Sequence, residues 1–157
     1  MEQSCLSVVQ VPLPHPDKGI IFCFTRSDVE RLAGIIAHHS GQDVARYHSG
    51  MSHLDRAENV EKWKSTACSY IVATSGFGQG VDYPSVRIVI HYGLTHSLID
   101  YAQETGRAGR DNKPADCIAI YSDAYTLRFK NLVPKASERD ARALAGSNGR
   151  IKPSVYC

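Results

Sequence analysis

Short β-branched or aromatic runs alternate along this chain with polar segments of helical period, and that alternation limits the fold more than any other feature. Ile20-Ile21-Phe22-Cys23-Phe24 predicts a strand that is apolar on both faces. Ser27, with Glu30 as its capping-box partner, predicts a helix to Ser40 that Gly41 ends. Val44 to His48 reads as a second strand. Ser52 and Asp55 then open a helix whose apolar stripe is Leu54, Ala57, Val60 and Trp63. Tyr70 to Thr74, Val86 to His91 and Cys117 to Tyr121 complete the strands, and short helices are expected over Leu98–Glu104 and Asp123–Leu132. Strands and helices in this order imply βαβ crossovers, hence an α/β domain of three layers, a mostly parallel sheet with helices on both faces. In such sheets ligands gather at the carboxyl ends of the strands, here the loops after Phe24, His48, Thr74 and His91.

The 157 residues suffice for one domain. Residues 1–18, with Pro12, Pro14 and Pro16, are expected as an N-terminal arm or lead-in strand, 19–133 as the folded domain, and 134–157 as a flexible basic tail. Net charge is +2, but the tail carries +3 and the preceding 133 residues −1. An anion site in the body must therefore come from local geometry. The five cysteines are scattered without a Cys-x-x-Cys pair, which fits reduced thiols in a nuclear or cytoplasmic protein. No signal peptide opens the chain and no apolar run nears the ~20 residues that span a bilayer, so a secreted or membrane protein is not expected.

Three segments carry chemistry. In Gln103-Glu104-Thr105-Gly106-Arg107-Ala108-Gly109-Arg110-Asp111, two glycine-preceded arginines three apart can point at one multiply charged anion. The guanidinium suits phosphate because its planar fork donates bidentate bonds and keeps its charge. The bare pattern fits a solvated basic turn equally well. In Ile71 to Asp82 a strand runs into Gly76, Gly78 and Gly80 and ends on a carboxylate, a loop that lets backbone approach a phosphate or ribose. Tyr47-His48-Ser49-Gly50-Met51-Ser52 joins a strand end to a helix N-terminus, whose free N–H groups attract phosphate. A lone His48 is also compatible with simple packing.

In this order and spacing the segments resemble the C-terminal RecA-like domain of superfamily 2 helicases. Gly19–Arg26 is similar to motif IV, Tyr47–Gly50 to motif IVa, Ile71–Asp82 to motif V and Gln103–Asp111 to motif VI. The motif VI wording, the Phe77-Gly78-x-Gly80 loop, Pro84-x-Val86-Arg87 and His91 resemble the RecQ family of DNA helicases, not the DEAD-box form. The resemblance implies a three-layer RecA-like fold in which ATP with Mg²⁺ lies between two motor domains. It implies Arg110 as arginine finger, Arg107 as a second phosphate or coupling contact, and Gln103 as a coupling residue. Gly80 and Asp82 would meet the ribose side of the nucleotide or motif VI. Thr25, Arg26, His48, Ser49, Gly50 and Thr74 would hold the DNA backbone, through contacts that carry no sequence code. The sequence departs from the family at Gln79, where Met is usual, and at Ser75-Gly76.

No Gly-x-x-x-x-Gly-Lys-Ser/Thr loop and no Asp-Glu-x-His or Asp-Glu-x-Asp segment occurs, so a cradle for the phosphates and the carboxylates that hold a metal ion must come from elsewhere. No metal site is expected in the chain. It reads as the second motor domain of a 3′–5′ DNA helicase, needing a Walker-A-bearing partner domain and unable to hydrolyse ATP alone. A non-catalytic nucleic-acid or protein binding module and a gene fragment without function stay open as alternatives.

Overall fold

The five apolar runs form one sheet. Its strands are β1 (Lys18–Cys23), β2 (Ala45–Tyr47), β3 (Tyr70–Ala73), β4 (Val86–Tyr92) and β5 (Asp116–Ile120), in the spatial order β2-β3-β1-β4-β5. Every pairing is parallel, with Ile20 beside Ile71 and Val89, and Phe22 beside Ala73 and His91. The structure, a computed structural model, describes residues 1–10, 12–78 and 81–123. Gln79, Gly80, the tail 134–157 and the helix expected beyond Asp123 lie outside the described residues.

Strand alternation divides the core by face. Ile21, Cys23, Val72, Ile90 and Tyr92 pack on the first face beneath α1 (Glu2–Val9) and α2 (Arg26–Ser40). Ile20, Phe22, Ile71, Ala73 and Val89 pack on the second, beneath α3 (His53–Lys64) and the segment that leads to β4. A fourth helix, α4 (Leu98–Thr105), joins β4 to β5. Trp63 is fully buried against Phe77 and donates its indole N–H to the Gly19 carbonyl at 3.2 Å. Burial of a side chain of the Leu or Phe class is worth about 1.5–3 kcal/mol, so the second face is anchored chiefly from α3.

Three expectations are corrected. Residues 2–9 form a helix instead of an arm or lead-in strand, because the prolines begin only at Pro12 and Cys5, Leu6 and Val9 share one apolar stripe on the first face. The N-cap of α2 is Thr25, not Ser27. Its Oγ1 accepts the Asp28 N–H at 3.1 Å and donates to the Asp28 carboxylate at 2.7 Å. On α3 only Val60 and Trp63 are buried, whereas Ala57 is exposed and Leu54 is 80% exposed. The remaining caps follow the sequence: Gly41 ends α2 in the left-handed region, and Ser52 caps α3 through the Asp55 N–H.

One connection stands out. β3 and β4 are separated by β1, so the chain from Thr74 to Ser85 must cross over β1. No helix lies in the described part of that crossing. Phe77, Val81 and Tyr83 cover the second face instead.

Candidate functional site

Where helical cover is missing, motif VI fills in. After α4 the chain makes two tight turns, through Ala108 N–H to the Thr105 carbonyl and Asn112 N–H to the Gly109 carbonyl. Gly109 has φ +66° and donates its N–H to Val86 at the start of β4. A side chain there would meet both that backbone conformation and the Lys113 carbonyl, so only glycine lets the turn press against the sheet. Ala108 is thereby buried in the second-face core, and the arginines on either side of it lean into an open cleft of about 210 Å³. Ile20, Phe77 and Val86 floor that cleft, with Trp63 and Tyr83 beside them.

The two arginines differ in what holds them. Arg107 is half-buried and lies against Gly78, where a Cβ would overlap its guanidinium. Its Nε is buried and has no hydrogen-bond partner among the described residues. Burial first, and then the charge of Arg110, lowers its pKa from the ordinary value, while Glu104 works the other way. An arginine keeps its proton regardless, so the site holds a poorly solvated cation that an arriving anion would satisfy. Arg110 is exposed and donates to Asp82 at 2.6 Å and to the Gly106 carbonyl at 3.3 Å. With 41% and 82% of the two side chains exposed, the Arg110–Asp82 pair is weak and can exchange Asp82 for another anion.

The turn has a firm anchor on its other side. Arg87, only 13% exposed, binds the Asp111 carboxylate, Asp17 at 3.0 Å, and the Lys113 and Pro114 carbonyls. Hydrogen bonding from Arg87 is the chief cause of a lowered Asp111 pKa. Gln103 is exposed on the last turn of α4.

The arginines are therefore not at the strand ends, where the topology rule directed attention. They lie over the second face, because the turn docks on Val86 at the opposite end of β4. The residues assigned to the DNA backbone do gather at the strand ends. Thr25 and Arg26 follow β1, His48 to Gly50 follow β2, and Thr74 follows β3, donating its N–H to the Tyr47 carbonyl at 3.1 Å. The Arg26 stem reaches the Gly50 backbone. Arg26, Ser49 and Gly50 are exposed, but His48 is buried with both ring nitrogens engaged: Nδ1 accepts the Gly50 N–H at 3.1 Å and Nε2 lies 2.7 Å from Glu30. That bond is the first cause of a lowered Glu30 pKa. His48 thus shapes its turn, and Thr25 spends its hydroxyl on the α2 cap.

Sequence reasoning placed Gly78, Arg87, Glu104 and His91 in the family-like segments but assigned none of them an individual role in the site. Arg87 and His91 were legible as polar interruptions of an apolar strand; the partners they meet were not. Among the described residues no cluster of three or more His, Cys, Asp or Glu could hold a metal ion, and no helix is long and apolar enough to cross a membrane. Cys5, Cys23, Cys68 and Cys117 are buried, and burial raises the thiol pKa of the first three, Cys5 to about 12, which leaves those three inert.

Comparison with known proteins places this geometry. Residues 6–112 match the family described as "Helicase conserved C-terminal domain". The ATP-dependent DNA helicase hus2/rqh1 of Schizosaccharomyces pombe is 42% identical over 117 residues, 74% of this chain and 9% of its own length. The ATP-dependent DNA helicase Q1 of Mus musculus is 38% identical over 115 residues, 73% of this chain and 18% of its own length. The chain thus spans less than a fifth of either relative. Among solved structures, the E. coli DEAD-box protein SrmB aligns with TM-score 0.67 at 18% identity, covering 85% of this chain and 78% of that one. Domain 2 of the DEAD-box helicase Mss116p, bound to an RNA duplex, aligns with TM-score 0.62 at 25% identity, covering 77% and 48%.

Proposed function

Because the chain belongs to the helicase conserved C-terminal domain family, with RecQ-type DNA helicases as its relatives, we propose that it is the second motor domain of an ATP-dependent 3′–5′ DNA helicase. It acts in this reading with a Walker-A-bearing RecA-like domain, in the same chain or another, in a nuclear or cytoplasmic setting.

The observation that carries the reading is Arg107: a half-buried guanidinium whose buried Nε has no partner among the described residues, beside Arg110 whose partner Asp82 is exposed. Two desolvated or displaceable positive charges in one cleft fit a triphosphate held from the other side. ATP, when bound between the domains, supplies the energy of phosphoryl transfer. Arg110 turns from Asp82 to the transferred phosphoryl group and offsets the charge that grows there, a role worth roughly 10³–10⁵ in rate where it has been measured. Arg107, fixed by Gly78 and Ala108, makes the second phosphate contact, and Gln103 links the turn to domain closure. Asp82, released from Arg110, faces the ribose side. Mg²⁺ accompanying the nucleotide would be held by carboxylates of the partner domain, since the described residues of this chain contain no cluster that could hold a metal ion. Arg26, Ser49, Gly50 and Thr74 line the path of a DNA backbone along the ends of β1, β2 and β3, with His48 and Thr25 holding the turns that present them.

The test is reconstitution. A separately made first motor domain mixed with this chain should regain DNA-stimulated ATP hydrolysis, and Arg110→Ala in this chain should abolish it. Turnover by this chain alone that disappears with Arg110→Ala would overturn the division of labour.

A further inference from the structure

A second, shallow cleft opens at the ends of β1 and β4 between Phe24, Ser75, Thr95 and His96. Phe24 and His96 meet at its lip in a tilted ring contact, 4.1 Å between ring centroids. Its inner wall contains two buried ionisable groups, His91 at 2% and Glu104 at 6% exposure.

Their arrangement is unusual for buried polar groups. His91 Nε2 and Glu104 Oε2 approach to 2.9 Å, but without the alignment of a hydrogen bond. Neither atom, nor His91 Nδ1, has another partner among the described residues. Packing fixes the ring instead: His91 lies 5.8 Å from Phe22 on β1 and 4.8 Å from Tyr101 on α4. A buried polar pair left short of partners costs stability, and a small movement of either group changes how well the pair is satisfied.

Glu104 also belongs to the arginine turn. Its carbonyl accepts the Arg107 N–H at 3.3 Å, and its charge favours the protonated form of Arg107. One side of the pair therefore faces the strand ends through the cleft and the other ends on Arg107. Resting on the motor-domain reading above, we propose that His91 and Glu104 are positioning residues that carry the presence of a DNA strand at the strand ends to Arg107. A strand that displaces Phe24, Ser75 or His96 reaches the pair across a few ångströms of packed side chains and shifts α4 with the turn it carries.

The inference is testable on the chain itself with two probes, a single-stranded oligo(dT) and inorganic tripolyphosphate. In the wild type each probe should change the affinity of the other by roughly fivefold or more, and by the same factor in both directions. In Glu104→Gln and in His91→Phe each probe should still bind, with the factor reduced to about one. Thermal unfolding reports whether the variants fold; if His91→Phe does not, Glu104→Gln, which keeps the shape, decides. Independent binding in the wild type, mutual exclusion at one shared site, or coupling that survives Glu104→Gln overturns the proposal and leaves the arginine site standing. Failure of tripolyphosphate to bind the chain alone overturns this inference, while the motor-domain reading, in which a partner domain grips the triphosphate, is decided separately by the reconstitution test.

Discussion

Two turns of this chain are made from similar parts, a strand or helix end, glycine and a basic side chain, and their bonding differs completely. In the turn after β2, His48 donates to Glu30 and accepts from Gly50, and Arg46 reaches the same Glu30. Every polar atom of that imidazole is used within the protein. In the turn after α4, Arg107 keeps a buried Nε without a partner among the described residues, and Arg110 is tied only to the Gly106 carbonyl of its own turn and to an exposed Asp82. A buried polar group that the protein satisfies itself is scaffolding; one it leaves unsatisfied is bonding capacity held for something else. By that criterion the arginine turn is the reactive region and the His48 turn is the frame of a surface.

The sharpest way to break this contrast is at Arg110. In the reconstituted two-domain system, Arg110→Ala should lower the rate of ATP hydrolysis by roughly 10³–10⁵, and a loss below about tenfold would deny the turn its catalytic part. Arg110→Lys should recover little, since a point charge does not reproduce the bidentate fork. Next in size is Gly78→Ala. The added Cβ overlaps the Arg107 guanidinium, the far end of a flexible side chain, so the fold should tolerate it while the cation is pushed out of place. Calorimetric titration with tripolyphosphate should show roughly tenfold weaker binding, about 1.4 kcal/mol, with thermal stability nearly unchanged. Unchanged affinity would mean that Arg107 is not the anion's partner.

The fold was legible because parallel strands buried on both faces are written as short apolar runs, as in the fully buried β1 and β3, and because the remaining strands keep enough of that pattern despite Arg46, Arg87 and Asp116. Their boundaries shifted by only a few residues. Thr25 replaced Ser27 as the cap because its hydroxyl and Asp28 satisfy each other, a local reciprocity that Ser27 and Glu30 imitate in sequence. Leu54 was misplaced because an apolar stripe predicts burial only where another element covers it, and Leu54 is 80% exposed. Arg107 and Arg110 were identifiable from their spacing and residue type. Their place over the second face was not, since it depends on a crossover from β3 to β4 with no helix among its described residues and on Gly109 docking at Val86. Contacts seventy positions apart, such as Arg87 with Asp17, leave no trace in local pattern.

A smaller effect sharpens the comparison from the other side. His48→Ala removes two hydrogen bonds from a turn whose other members can reach water, so stability measured by urea denaturation should fall by about 1 kcal/mol, a factor of about five in the folding equilibrium. Tripolyphosphate affinity should not change. Oligo(dT) affinity should fall, because Ser49 and Gly50 lose the backbone shape that His48 maintains. If tripolyphosphate binding fell in parallel, the two regions would share one anion site and the distinction between them would fail.

The smallest effect concerns the anchor of the arginine turn. Hydrogen bonding from Arg87 holds the Asp111 pKa below its ordinary 3.8. A carboxylate with a depressed folded-state pKa adds stability above its unfolded value, and that contribution is lost as pH falls through the folded one. Wild-type stability should therefore decline below about pH 4 partly through Asp111. The Asp111→Asn variant should lack that portion of the decline, starting slightly less stable at neutral pH and converging on the wild type in acid. Asp82→Asn, which touches only the exposed pair with Arg110, should leave stability unmoved at any pH. Denaturation midpoints of the three proteins across the acid range decide the matter. Equal pH sensitivity at Asp111 and Asp82 would make both partners of the turn mere surface ion pairs, and the guanidinium pair would then lack the fixed base from which one arm stays anchored while Arg110 exchanges its carboxylate for phosphate.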